Sequence, residues 1–229
     1  MVGARPGHRR PIAWRELTVF NRLAAWLADR SVTANSISVT GVLCGLGAGA
    51  ALWATAHTQQ PALERILWLA AAVLIPTRLL ANMLDGMVAT HSGNASTVGE
   101  LYNDVPDRVS DAAILIGLGY SAGGSPELGF AAACLAITTA YVRCLGRALG
   151  AGSDFRGPMA KQQRMAVVTG TALFMAVAPA QWRPTWFTSE TSQGLGVAAG
   201  ALVVINVGCV VTCVRRLSFI VARIPGATA

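Results

Sequence analysis

Five carboxylates crowd one short window, "NMLDGMVATHSGNASTVGELYNDVPDRVSD", in a chain of 229 residues with only 11 acidic side chains. They are Asp85, Glu100, Asp104, Asp107 and Asp111. Asn82, Asp85 and Ala89 fall at i, i+3 and i+7, so a helix puts them on one face. Gly86 and Ala89 are small there and let another group approach closely. Gly99, Asn103, Asp107 and Asp111 follow at intervals of four, again one slowly rotating helical face. Two helices with oxygen ligands on facing stripes make a pocket for a divalent cation. Carboxylates are poor neighbours for one another without such an ion, and Mg²⁺ favours a few carboxylates plus phosphate oxygens.

Plainer explanations exist for each acid taken alone. Asp104 stands just before Val105, Pro106 and Asp107, the pattern of a helix cap followed by a first-turn proline. Pro106 would instead kink a helix that begins near Gly99. Asp107 and Asp111 have Arg108 and Arg78 as possible ion-pair partners. Arg78, one turn before Asn82, is placed either to reach a phosphate or to pair with Asp85. His91 lies beside the site and reads as an ordinary loop histidine. It is the whole constellation, at membrane depth where charge is costly, that points to function.

The elements that must carry these residues are membrane helices. Only 13% of the chain is charged and 53% is hydrophobic, whereas a soluble domain carries about 25% charged residues. The sequence predicts an all-α integral membrane protein with six spans, at 35–56, 64–89, 101–121, 127–149, 163–181 and 194–218, each near the ~20 residues a bilayer needs. Residues 12–29 read as an amphipathic helix lying in the interface plane, with Leu17, Phe20, Ala24 and Leu27 on one face. The division is 1–33 as a cytoplasmic segment with this helix, 34–221 as the six-helix domain and 222–229 as a tail.

Basic residues set the orientation. Six arginines precede the first span, and Arg143, Arg147, Arg156, Lys161 and Arg164 surround the loop at 150–162. The opposite loops offer Arg65 and Arg183. This asymmetry places both termini, that loop and the turn at 90–100 in the cytoplasm of a cell whose inner membrane holds the chain. The net charge of +7 therefore reflects topology, and no aromatic–basic interleaving suggests a nucleic-acid partner. The five cysteines form no CxxC pair and read as small buried hydrophobes. The basic N-terminus lacks the apolar core of a signal peptide.

The window resembles the signature of the CDP-alcohol phosphatidyltransferases: Asp-x-x-Asp-Gly-x-x-Ala-Arg, eight residues, then Gly-x-x-x-Asp-x-x-x-Asp. Asn82 takes the first Asp position and Asp85 the second; Gly86 and Ala89 match, and Thr90 stands where Arg is usual. Gly99 matches, Asn103 takes the third Asp position and Asp107 the fourth. "TANSISVTG" is similar to the segment that opens the family's first span. The resemblance implies a metal site of four aspartates, two of them asparagine here. Asp85, Asp107, Asn82 and Asn103 would hold Mg²⁺ or Mn²⁺, with Asp104 and Asp111 supplying extra charge. Asp107 would be the general base, aided by Asp111.

The resemblance further implies a CDP-linked lipid donor, most simply CDP-diacylglycerol, a small alcohol acceptor, release of CMP, and a homodimer. Gly86, Ala89 and Gly99 would make room for the cytidine diphosphate, and Arg78, Arg143 and Lys161 would meet phosphate. The same cations suit an anionic acceptor; glycerol 3-phosphate would make the chain a phosphatidylglycerophosphate synthase. Two other classes stay open: a non-catalytic relative that binds liponucleotide, and a divalent-cation transporter. A transporter should spread its carboxylates across the bilayer, whereas this window lies near one surface.

Overall fold

The computed structural model describes residues 18–30, 32–91, 97–152, 154–186 and 194–224, with side chains except at 18 and 97–103. Among the described residues seven α-helices follow one another: α1 (Thr18–Asp29), α2 (Ala34–Ala54), α3 (Pro61–His91), α4 (Thr97–Gly119), α5 (Pro126–Ala148), α6 (Lys161–Val177) and α7 (Val197–Val221). An antiparallel pair of two-residue strands, β1 (Thr185–Trp186) and β2 (Leu195–Gly196), closes the approach to α7. Among the described residues the fold is all-helical apart from this pair.

Among the described residues four stretches are long and apolar enough to cross a membrane: Ala34–His57, Pro61–His91, Pro126–Ala148 and Val197–Val221. The remaining two long helices miss that description for visible reasons. The first half of α4 carries the acidic cluster, and α6 has only 17 residues. Helix starts follow local chemistry. Thr33 caps α2 by accepting from the Ser36 amide at 3.2 Å, and Ser125 caps α5 through the Leu128 amide at 3.3 Å, ahead of Pro126.

The core runs along α3, α4, α6 and α7 through Trp68, Ile75, Ile114, Leu118, Met165 and Leu202, and takes in Leu52 of α2 and Ala132 of α5. Against it α2 lies unusually close, because Gly41, Gly45 and Gly49 form an i, i+4, i+8 stripe facing α3 and α4. A Cβ on Gly49 would stand 2.5 Å from the Ala113 carbonyl oxygen, and one on Gly45 2.6 Å from Ser110 Cβ. Small residues at a helix crossing let backbones meet. The outward faces stay apolar; Val203, Val207, Val210 and Val214 of α7 are all exposed, which an apolar medium satisfies and water does not.

Several expectations change. The amphipathic helix is seen from Thr18; residues 12–17, with Leu17, lie outside the described residues. Its apolar row, Phe20, Leu23, Ala24 and Leu27, packs on Met83, Leu84, Met87 and Val88 of α3. α4 begins at Thr97, within the expected turn at 90–100, so Asp104 sits inside the helix and does not cap its start, and Pro106 is internal. Cys209 and Cys213 are buried, but Cys134 and Cys144 are exposed and Cys44 is partly so. Burial was inferred from apolar surroundings, and in this chain apolar surroundings also describe the outer surface.

Candidate active site

α2, α3 and α4 line a small, partly open cavity with Ser38, Gly41, Val42, Arg78, Asn82, Asp85, Pro106 and Asp107. Three of the expected ligands, Asn82, Asp85 and Asp107, thus share one space. The helical spacing brings Asn82 and Asp85 to the same face of α3, and Gly41 keeps α2 thin enough for that face to open. The Ser38 hydroxyl donates to Asp85 Oδ2 at 2.7 Å. Ser38 was missed by sequence reasoning, although it lies within the segment "TANSISVTG".

Beneath the cavity runs a buried chain of alternating charges. Arg78 Nη2 donates to Asp107 Oδ1 and to the Asp107 carbonyl, both at 2.9 Å, and pairs with Asp111 Oδ1 at 2.9 Å. Arg78 is not paired with Asp85 in this arrangement; α4 interposes Asp107 and Asp111. Asp111 also faces Arg164 Nη2 at 3.5 Å, and the two side chains are 2% and 1% exposed. Neither Asp111 oxygen accepts a well-aligned hydrogen bond, so these contacts are mainly charge on charge. Gly45 makes room for this network: a Cβ there would meet Arg78 Cδ at 3.1 Å.

Lys161, the first residue of α6, completes the ring. Its Nζ donates to Asp107 Oδ2 at 2.5 Å and to Asn82 Oδ1 at 3.2 Å. The preceding loop is fastened to α7, which fixes where α6 starts. Thr212 Oγ1 accepts from the Met159 amide at 3.0 Å, and Arg216 donates to the Arg156 carbonyl at 3.1 Å and the Thr139 carbonyl at 2.7 Å. Gly157 permits the approach with φ of 118° and no Cβ to strike Thr212. The role of Arg164 as a buried anchor was invisible in sequence, where it reads as a flanking basic residue; Arg216, near the end of α7, is buried too.

Other expected residues lie apart from the cavity lining. Asp104 is 44% exposed and pairs with Arg108 at 2.9 Å and Arg143 at 3.4 Å. Arg143 also stands over the Phe155 ring at 5.9 Å, so it bridges α4 to the loop before α6. Arg156 pairs with Asp154 at 3.1 Å and covers the Phe219 ring. Gly86 and Ala89 continue α3 beyond Asp85, half-buried. Gly99 and Asn103 lie within α4, with the Asn103 side chain outside the described residues.

The family model for CDP-alcohol phosphatidyltransferase matches residues 31–214. The chain belongs to that family. It is an enzyme of phospholipid biosynthesis, a CDP-alcohol phosphatidyltransferase. It is 27% identical over 157 residues to the inner membrane protein YnbA of Escherichia coli, spanning 69% of this chain and 74% of the relative. It is 27% identical over 170 residues to phosphatidylinositol phosphate synthase of Mycobacteroides abscessus, spanning 72% of each. Its fold is similar to that of the Mycobacterium tuberculosis phosphatidylinositol phosphate synthase PgsA1. With CDP-DAG bound, that structure gives a TM-score of 0.70 at 18% identity, covering 93% of this chain and 98% of the other. With manganese and citrate it gives 0.69 at 18% identity, covering 92% of each. At such identity the likeness is one of fold.

The family uses Mg²⁺ or Mn²⁺, and the residues present suit a hard cation. The converging donors, Asn82, Asp85 and Asp107, are all oxygen. Among the described residues no three His, Cys, Asp or Glu side chains gather to hold a metal. The set is two carboxylates and an amide, chemically right and low in charge.

Proposed function

We propose that this phosphatidyltransferase moves a phosphatidyl group from CDP-diacylglycerol to a phosphorylated polyol, with inositol phosphate as the leading acceptor and glycerol 3-phosphate as the alternative. The observation that carries the reading is the meeting of Asn82, Asp85 and Asp107 with Lys161 and Arg78 around one cavity. Support for the donor comes from the family and from the CDP-DAG-bound fold relative. Support for a phosphorylated acceptor comes from the cations gathered where α5 and α6 meet the loop between them, Arg143, Arg156 and Lys161, and from the M. abscessus relative's name.

Asp85 and Asp107, with the amides Asn82 and Asn103, would hold the divalent ion; when bound, it offsets charge on the diphosphate and on the departing CMP. Asp107 takes the proton of the acceptor hydroxyl. The hydroxyl oxygen forms its bond to the lipid-side phosphorus as the bond from that phosphorus to CMP breaks. Arg78 and Lys161 hold both Asp107 oxygens in place for that proton. Each carboxylate oxygen has a second lone pair to receive it. Asp111, clamped between Arg78 and Arg164, acts as a positioning residue for Arg78 and through it for Asp107. Asp104 orients Arg143 toward the acceptor, and Gly86, Ala89 and Gly99 leave space for the nucleotide.

In this reading all six helices α2–α7 span the inner membrane as one catalytic domain over 34–221, the form is a homodimer, and α1 rests on the cytoplasmic surface. The segments 1–33 and 222–229 flank that domain in the cytoplasm. CMP release from CDP-diacylglycerol, measured with inositol 1-phosphate, glycerol 3-phosphate and the unphosphorylated alcohols, tests the function. Inositol 1-phosphate should be preferred, and Asp107→Asn should lower kcat by about 10²–10⁴-fold. Turnover with unphosphorylated alcohols alone would overturn the acceptor assignment.

A further inference from the structure

Lys161 bridges the first and fourth positions of the metal signature. Its ammonium stands 3.2 Å from Asn82 Oδ1 and 2.5 Å from Asp107 Oδ2, with side chains 19% and 14% exposed for the lysine and the aspartate. The other Asp107 oxygen already faces Arg78 at 2.9 Å. A four-aspartate pattern offers four negative charges; here Asn82 and Asn103 leave the charges of Asp85 and Asp107 alone. One divalent ion balances two carboxylates. A second would add two positive charges to a space that already holds a lysine and an arginine, at a depth where unbalanced charge is costly. Divalent affinity falls as ligand charge is removed. An ammonium is itself a compact cation with three donors, two of which serve Asn82 and Asp107 here while the third is available to a phosphate oxygen.

We infer that the Lys161 ammonium takes the place of one of the two ions implied by a four-aspartate signature, so that this chain binds a single divalent ion. The inference rests on the proposed metal-dependent reaction and sharpens it. The asparagines and the lysine act as one unit: the amide at 82 keeps an oxygen for Lys161 to bind but removes the charge that would call in a metal.

The test is Mn²⁺ binding to the purified full-length protein in detergent, counted by the electron paramagnetic resonance signal of free Mn²⁺ and by calorimetry, with no donor lipid present. One ion per chain is expected. The double substitution Asn82→Asp with Asn103→Asp should raise the count to two. Lys161→Gln should tighten the single ion about tenfold, because a neighbouring positive charge is lost. Two ions on the wild type overturn the inference, as does none at millimolar Mn²⁺. A Lys161→Gln affinity within twofold of wild type also overturns it. The wild-type count decides even where a variant fails to fold. CMP release assayed in parallel separates the two proposals: two ions with CMP release sink the single-ion inference and leave the reaction, whereas one ion without CMP release for any acceptor sinks the reaction.

Discussion

Arg78 and Asp111 bury opposite charges against each other at 1% and 2% exposure, and the energetics of such a pair are asymmetric. Removing one partner strands the other in a low-dielectric interior, at a cost of about 3–5 kcal/mol. Removing both together should cost less than the two single losses added, although Asp107 and Arg164 each then lose a partner. Arg78→Met should therefore lower the unfolding temperature in detergent sharply, whereas Arg78→Met combined with Asp111→Leu should be milder than the sum of the two single changes. A coupling of about 0.5–3 kcal/mol in that double-mutant cycle is expected, and strict additivity would remove the network from the account. At this scale the spacing puts Asn82 and Asp85 on one helical face and Asp107 on a facing stripe, and the three side chains line one cavity. It did not show their partners. Arg78 stands at i−7 from Asp85 on one helix, which leaves open a pair with it or reach to a phosphate; the register of α4 against α3 puts Asp107 and Asp111 in reach instead. Register between helices depends on side-chain packing across the whole crossing, and spacing within one helix carries no record of it.

The crossing of α2 over α4 is set by glycine. Gly49 meets the Ala113 carbonyl region, and a Cβ on Gly117 would run into the Gly49 backbone. There is no flexible side chain at this contact to yield, so an added methyl must push the helices apart. Gly49→Ala should destabilise by about 1–3 kcal/mol and also depress activity, since Ser38 and Gly41 line the site from the same helix. Gly170 on α6 is the control: nothing lies within 4 Å of its missing Cβ. Gly170→Ala should be neutral or stabilising by up to about 1 kcal/mol through helix propensity. Thermal unfolding of the two variants side by side checks this, and equal losses would refute it. The run "GVLCGLGAGAAL" announces close packing in the sequence, and the length of most helices was equally legible from hydropathy. The start of α4 was not, because Gly, Ser, Thr and Asn around residue 97 read as a loop while acidic and prolyl residues further on continue the helix.

For the molecule as a whole, one end of the bundle carries the charge and the other is closed by a small polar latch. There Arg183 donates to Glu64 at 3.0 Å and to the Met175 carbonyl, and the Trp68 indole reaches Glu64 at 3.2 Å. Trp182 and Trp186 are exposed beside it, where amphipathic rings suit a membrane surface. The proposed orientation gives a direct expectation. In a cysteine-free background, Gln59→Cys should react with a membrane-impermeant maleimide on intact cells, and Gln162→Cys only after permeabilisation. The reverse pattern would invert the topology and place the active site outside.

The packing of α1 has a practical corollary. Its oily side is occupied by Met83, Leu84, Met87 and Val88, the stretch of α3 that brackets Asp85. The helix therefore works as a splint on the arm that carries the proposed metal ligands, with Val19 and Trp26 left exposed. Shortening the protein to Thr33 would unwrap that arm at the very turn where Asn82 and Asp85 must hold still. The loss should be one of catalysis in a chain that still inserts and purifies normally, a distinction that a turnover assay on the trimmed protein reads directly.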